Sequence, residues 1–457
     1  MSPVTPVAIT WFAAVVLLLL DGRRGAGRWL AVAALAASVA AHGALAVTVL
    51  RSGSVESFAG GWQPGIGIVL RADALGAVFG FVSAVVLLIC LVYEVVGGSP
   101  VRALPAIVLF LATGLSGLFL TGDAFNFYVF FEISMVSAFV LSSYGLGRRE
   151  LRASLVFTVV NLLGSVVFLS GIATLYHVTG TLDMRQIGTR MLDVEPNSSI
   201  LIATLIFAAF GLKLGLFPFH FWVPPVYRDS RPAVAAMLSG AVANIGSYGL
   251  LRFGGEVLAV ELRFGAAVLM VIGAVSIVYG ALLAVSGGHP ADVLAYSSIG
   301  QAGYILVAVA AGGPVGYAAA VLYAVVNALS KTLLFLATGV RGPLVGAAFA
   351  IGAFSVAGIP PSAGFLGKLA MLQVAVAQSS AGLATLVVLG GALSFVYMLR
   401  IYQRTYWSGE AVGPTSAWSA RAVVLGLAGL LVGLGLWPEP LVGVSQVAAA
   451  AVEHVAP

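Results

Sequence analysis

The chain has 457 residues, of which 60% are hydrophobic and 9% charged, and its mean hydropathy is +1.07. Soluble domains carry about 25% charged residues, and disorder needs low hydrophobicity with high charge. The composition excludes both classes and reads as a polytopic membrane protein. The formal net charge of +5 comes with no basic run longer than Arg23-Arg24 or Arg148-Arg149, which excludes a nucleic-acid footprint. The single cysteine, Cys90, allows no internal disulfide.

A helix needs about 20 apolar residues to cross the hydrocarbon core. In chain order, fourteen candidate spans occur, at about 4–20, 29–50, 75–97, 104–121, 124–144, 153–178, 198–223, 232–253, 264–286, 292–311, 314–338, 343–378, 381–402 and 421–450. The first has no basic residue before it, so a retained span is expected and not a cleaved signal peptide. Pro438 and Pro440 leave the end of the last one open. The runs are continuous, not alternating, which excludes transmembrane strands. The glycine-rich stretch Gly60–Gly67 lacks the strand and helix context of a phosphate loop and is expected to be an extracytoplasmic turn.

Positive charge sets orientation. Loops that follow odd-numbered spans hold thirteen arginines: 23, 24, 28, 102, 148, 149, 152, 228, 231, 341, 400, 404 and 421. Loops that follow even-numbered spans hold six: 51, 71, 185, 190, 252 and 263. The bias puts the odd loops in the cytoplasm and both termini on the extracytoplasmic side of a cell membrane. The loops are short, so redox or nucleotide chemistry would have to come from another chain.

All nineteen arginines fall in loops or at span ends, whereas all three lysines, Lys213, Lys331 and Lys368, fall inside apolar runs. A lysine at the bilayer centre costs roughly 2.5–3.5 kcal/mol on insertion scales, tolerable where it faces a polar interior. Buried lysine also changes protonation readily, which arginine does not, so buried lysines suit a proton relay. The bland alternative is snorkelling to the interface. Glu132, near the middle of span five, is the carboxylate that stands out; Asp123, Glu94 and Asp292 lie in loops or near span ends. An ammonium nearby would hold Glu132 charged, and Lys213 is its natural partner; a structural salt bridge is the alternative.

Two spans look broken. Span seven runs Gly211-Leu-Lys213-Leu-Gly-Leu-Phe-Pro218-Phe-His220, and span twelve, too long for one straight crossing, runs Gly358-Ile-Pro360-Pro361-Ser-Ala-Gly364-Phe-Leu-Gly367-Lys368. Proline removes a helix hydrogen bond, and irregular backbone at depth is tolerated where protein or a polar cavity surrounds it. Breaks five spans apart, each beside a lysine, suggest two inverted five-helix repeats around an ion path; two ordinary proline kinks are the alternative. The expected organisation is 1–103 (helices 1–3), 104–253 (first repeat, helices 4–8), 254–402 (second repeat, helices 9–13) and 403–457 (helix 14). His220 could pass protons or be an interfacial histidine. His177 reads as interfacial. Tyr296, Ser297 and Ser298 suit hydrogen bonds between helices. No histidine, cysteine and carboxylate cluster has metal-ligand spacing, no nucleophile and base pair is visible, and no cofactor is expected.

These residues resemble the antiporter-like membrane subunit family. That family includes the proton-pumping subunits of NADH:quinone oxidoreductase, membrane-bound hydrogenase subunits and large subunits of Mrp-type Na+/H+ antiporters. The resemblance rests on Thr121-Gly-Asp-Ala-Phe-Asn-Phe-Tyr-Val-Phe-Phe-Glu132, Gly180-Thr-Leu-Asp-Met184, Lys213 through Trp222, Ala295-Tyr-Ser-Ser-Ile-Gly300 and the stretch ending at Lys368. It covers about residues 70–400. Gly180–Met184 and Pro224-Pro225-Val-Tyr227 look most like the D-type large subunit of Mrp antiporters. The resemblance implies that Glu132 modulates Lys213, that Lys213 carries protons in the first half-channel, that Lys331 links the half-channels and that Lys368 ends the path.

The sequence also departs from that pattern. Asn244 stands where the family usually has a lysine in span eight, Asn327 stands near the position of a usual histidine, and the link Gly339–Pro343 before span twelve is short. Asparagine can hydrogen-bond a water wire but cannot hold a proton, so Asn244 is a possible path member only through water.

The resulting expectation is a proton-translocating subunit of a multi-subunit monovalent cation (Na+)/proton antiporter, with other membrane subunits as partners. The alternatives are the membrane arm of a quinone reductase or hydrogenase complex, which would make it part of an enzyme, and a structural subunit that no longer conducts.

Overall fold

The computed structural model describes residues 1–19, 25–61, 67–97, 102–144, 147–407 and 418–453. The Arg23-Arg24 pair and the centre of the Gly60–Gly67 stretch lie outside the described residues. The first half contains α1 (Val4–Leu19), α2 (Gly25–Ser52), α3 (Ala74–Gly97), α4 (Leu104–Phe119), α5 (Ala124–Ser142), α6 (Arg148–Thr179), a short α7 (Met184–Arg190), α8 (Pro196–Leu214), α9 (Val223–Asp229), α10 (Pro232–Met237) and α11 (Asn244–Arg252). The second half contains α12 (Ala259–Ser286), α13 (Pro290–Ala311), α14 (Gly313–Thr338), α15 (Pro343–Ala357), α16 (Gly364–Ala377), α17 (Ala381–Tyr402), α18 (Trp418–Leu436) and α19 (Glu439–Glu453).

Among the described residues, eleven helical stretches are each long and apolar enough to cross a membrane, with five shorter apolar helices beside them. Each of the fourteen ranges expected from the sequence is occupied by one such helix or by a broken pair. Range fourteen is a pair: Pro438 separates α18 from α19. The long outer helices α6 and α12 present Leu155, Leu163, Phe264 and Val268 outward, as a lipid-facing surface requires. By contrast, α14 and the stretch Pro232–Val257 are 94% buried over their most apolar windows and form the centre of the molecule. Helices α12 and α13 approach through glycine: a Cβ on Gly280 would lie 2.6 Å from the backbone nitrogen of Gly300, so only small residues allow this contact.

Two features are not expected from the sequence. The first is a two-stranded hairpin, β1 (Val55–Phe58) and β2 (Val69–Ala72), on the even-loop face, flanking the glycine-rich stretch that was expected to be only a turn. Thr121 bridges onto Leu70, and Asp123 bridges onto Asp183. Backbone pairing therefore joins the segments Thr121–Glu132 and Gly180–Met184. Asp123 then caps α5 through the Asn126 amide at 2.6 Å, and Asp183 caps α7 through the Gln186 amide at 3.0 Å.

The second is a buried ion network. Arg71 donates to Glu256 at 2.6 Å, and Arg252 contacts both Glu256 and Asp73 at 2.6 Å. Arg252 also donates to the Tyr248 hydroxyl at 3.0 Å, and Tyr248 donates to the Phe119 carbonyl. Asp73 further caps α3 through the Gly76 amide. Burial alone would raise the Asp73 carboxyl, but the charges and hydrogen bonds of Arg252, with Arg71, hold it well below the usual carboxylate range. Its folded value is depressed, so its contribution to stability is present above the unfolded carboxylate value and is lost only as pH falls through the folded one. By position near span ends, Arg71 and Arg252 count as loop charges. Both are buried and paired, so neither is a free loop charge.

Candidate proton path

Both expected helix breaks are present, and both are built alike. α8 stops at Leu214, and Gly215 follows in the left-handed region at φ 66°. α15 stops at Ala357, and Gly358 follows at φ 82°. In each case a proline stands three residues after the glycine, Pro218 and Pro361, and each follows a cis peptide bond. The freed backbone is satisfied inside the protein, as depth in a membrane demands. Near the first break, the Trp222 indole donates to the Leu212 carbonyl at 3.0 Å and the Phe217 amide donates to Ser276 at 3.0 Å. Near the second, the Ala363 amide donates to the Leu431 carbonyl of α18 at 3.0 Å. Gly435 permits that approach, because a Cβ there would sit 2.0 Å from the Pro361 carbonyl oxygen.

All three lysines are buried, Lys331 completely, so none snorkels. Lys213 donates to the Asn161 carbonyl at 3.1 Å and to Ser165 at 3.5 Å, and its ammonium lies 4.0 Å from the centre of the Phe131 ring. Glu132, next to Phe131 on α5, acts on Lys213 electrostatically but forms no ion pair with it within 4.0 Å. The expected ion pair is therefore not formed, and the Phe131 ring lies against the ammonium. Glu132 Oε1 is buried without a protein hydrogen-bond partner, as is Asn161 Oδ1.

Lys331 on α14 donates to the Ser297 hydroxyl at 2.7 Å and to the Leu294 carbonyl at 3.2 Å, both on α13. Ser297 is in turn 2.8 Å from the Tyr397 hydroxyl of α17. This is the interhelical role expected of Ser297. Ser298 instead bonds the Leu294 carbonyl of its own helix. Lys368 on α16 lies 3.3 Å from the centre of the Tyr304 ring and 5.5 Å from that of Tyr323, and its nitrogen has no hydrogen-bond partner. Tyr323 donates to Gln301, which with Asn327 and Ser330 lines a cavity of about 10 Å³, room for one water. Asn327 Oδ1 is another buried acceptor without a protein partner.

The structure does not bring His220 and Asn244 to the lysines by direct bonds. His220 Nε2 pairs with the Tyr279 hydroxyl at 2.9 Å, and the ring stacks on Phe217. Asn244 donates to Ser83 at 3.1 Å and to the Gly240 carbonyl at 3.0 Å, just after a π-helical turn at Leu238–Val242. Its neighbours Ala243 and Ile245 line a second water-sized cavity with Lys213, Asn161 and Tyr227, but the Asn244 side chain does not. Among the described residues, no group of three His, Cys, Asp or Glu could hold a metal.

Gly358 couples the second break to its lysine. A Cβ there would lie 2.2 Å from Lys368 Cγ, and its φ disfavours any L side chain. Gly358→Ala is expected to cost about 1–2 kcal/mol in backbone strain and to push Lys368 off the two tyrosine rings. The readout is ion exchange by the assembled complex, which is expected to fall while assembly persists.

The profile of a family described as NADH:quinone oxidoreductase/Mrp antiporter, TM, matches residues 121–394, more than half of the chain. The chain is 29% identical over 468 residues to a Na(+)/H(+) antiporter subunit, of the D type, from Bacillus subtilis, covering 96% of this chain and 95% of that protein. Among solved structures it resembles a chain of the Mrp complex from Dietzia sp. DQ12-45-1b, with a TM-score of 0.88, 27% identity and 98% of each chain covered. It also resembles a chain of the membrane-bound sulfane sulfur reductase, an archaeal respiratory membrane complex, with a TM-score of 0.89, 25% identity, and 98% of this chain and 96% of that one covered. The buried lysines, the paired breaks and the profile lie in one stretch of sequence, and the chain belongs to the NADH:quinone oxidoreductase/Mrp antiporter transmembrane family.

Proposed function

We propose that this chain is the proton-translocating subunit of a multi-subunit monovalent cation/proton antiporter. Protons pass Glu132, Lys213 and Lys331 and leave past Lys368, with His220 as a peripheral group at the first break. The observation that carries the reading is that every lysine of the chain is buried in the helical core, two of them beside the two helix breaks. The orphaned polar atoms of Glu132, Asn161, Asn327 and Lys368 add to it, since buried polar groups without protein partners call for water, the medium of a proton wire. The names of the Bacillus subtilis and Dietzia relatives point the same way.

The architecture that goes with this function is fourteen crossings with both termini outside and two inverted repeats, 104–253 and 254–402, flanked by 1–103 and 403–457. The equal spacing of Gly215 to Pro218 and Gly358 to Pro361 favours the repeat. The alternative, a membrane arm driven by redox subunits, is favoured by the likeness to the sulfane sulfur reductase. Gentle purification of the native complex with mass spectrometry of its partners separates the two. Small membrane subunits alone agree with the antiporter; iron–sulfur, flavin or nickel subunits overturn it.

Glu132→Gln removes the charge that acts on Lys213 and keeps the side-chain shape. Exchange by the assembled complex is expected to fall by about tenfold or more. An unchanged rate would remove Glu132 from the path.

A further inference from the structure

Between α9, α13, α14 and α17 the odd-loop face opens into a vestibule of about 530 Å³. Arg228, His289, Arg341, Arg400 and Arg404 line it, and among the described residues no carboxylate does. Two buried tyrosines also line it, Tyr227 and Tyr397. Each leads to a different lysine. Tyr227 shares the water-sized cavity of about 10 Å³ with Lys213 and with the unpartnered Asn161 Oδ1. Tyr397 is 2.8 Å from Ser297, which is 2.7 Å from Lys331. Asn244, on α11 between the lysine-bearing helices α8 and α14 in chain order, is held by Ser83 and Gly240 and cannot carry a proton.

We propose that this vestibule is a shared proton site through which Lys213 and Lys331 exchange protons, with Tyr227 and Tyr397 as its two gates. The inference rests on the proton-translocating reading above. In one direction the Lys213 ammonium gives a proton to the water beside Asn161. That water protonates the Tyr227 oxygen as the Tyr227 hydroxyl gives its own proton to vestibule water. Vestibule water then protonates the Tyr397 oxygen as the Tyr397 hydroxyl turns from Ser394, to which it donates at 3.0 Å, and gives its own proton to Ser297, and Ser297 gives its own to the neutral Lys331 amine. The net change is one proton moved from Lys213 to Lys331, with every hydroxyl restored. The vestibule's basic lining, in which Arg228 pairs with Asp292 at 3.2 Å, disfavours a hydrated metal cation, whereas hydroxyls and water relay a proton.

The test uses the whole complex in proteoliposomes, reading proton and sodium fluxes. Tyr397→Phe keeps the ring and removes the relay oxygen. It is expected to lower exchange by about tenfold or more, with the sodium KM unchanged and a larger solvent deuterium isotope effect. Tyr227→Phe is expected to act in the same direction. A second measurement does not depend on either variant assembling. Thr405 lines the vestibule, and the chain's one cysteine, Cys90, is buried. Thr405→Cys, treated with a bulky thiol reagent from the odd-loop face, is expected to lose exchange on modification. Lys213→Ala is the control. If Lys213→Ala is inactive while Tyr397→Phe, Tyr227→Phe and modified Thr405→Cys all run at the unmodified rate, the vestibule is overturned and the function stands. If Lys213→Ala is active, the function itself falls.

Discussion

Lys213→Ala in the assembled complex is expected to lower cation/proton exchange by about a hundredfold or more, the scale of losing a positioned proton carrier. The reason lies in its surroundings. Lys213 is buried at the end of a helix that stops one residue later, its hydrogen-bond partners are a carbonyl and a hydroxyl, and its carboxylate acts without touching it. A lysine serving as a structural cation would be in a direct ion pair, as Arg71 and Arg252 are. The substitution Lys213→Arg separates the roles. Arginine keeps the charge but does not release a proton near neutral pH. Exchange by Lys213→Arg is expected to be as low as by Lys213→Ala; recovery would show that only charge is needed.

Arg252→Ala is expected to destabilise the protein by about 3–5 kcal/mol, the range for breaking a buried ion pair from one side. Its loss leaves Asp73 and Glu256 with Arg71 alone, and Arg71 reaches Asp73 only at 3.7 Å. The Tyr248 hydroxyl loses its donor as well. The network ties the start of α3 and strand β2 to the end of the central stretch Pro232–Val257, so the variant is expected to unfold at lower temperature or to assemble poorly. Thermal unfolding of the detergent-purified complex checks this, and a loss within about 1 kcal/mol would mean that water reaches the cluster. Replacing all four charges by apolar residues of similar volume is expected to be far milder than the single change, since no buried charge is left unpaired.

The residues of the proposed path are legible in the sequence because they are anomalies in an apolar chain. A lysine in a hydrophobic run and a proline in a span each carry a cost that structure must answer. The ion network is not legible for the opposite reason: its arginines sit near span ends, where arginine is ordinary. Its longest link joins residues 185 apart in sequence, and among its ion pairs only Arg252 and Glu256 have the spacing of one helical turn. Strands β1 and β2 are four residues each, too short for alternation to show, and glycine dominates between them. The Glu132–Lys213 ion pair that the sequence suggests does not form, and the Phe131 ring that lies against the ammonium instead is a contact only packing shows. Ser297 suits an interhelical hydrogen bond by residue type, but its two partners come from α14 and α17, a meeting that only packing shows.

The most direct test of buried lysines as proton carriers is the proton flux of the reconstituted complex bearing Lys331→Gln. Lys331 forms no ion pair, and its bonds go to Ser297 and the Leu294 carbonyl. Glutamine keeps an amide donor and removes the titratable group without breaking an ion pair. Exchange near background is expected, with the complex still assembled. Exchange at the parent rate in a fully assembled complex would show that Lys331 carries no protons.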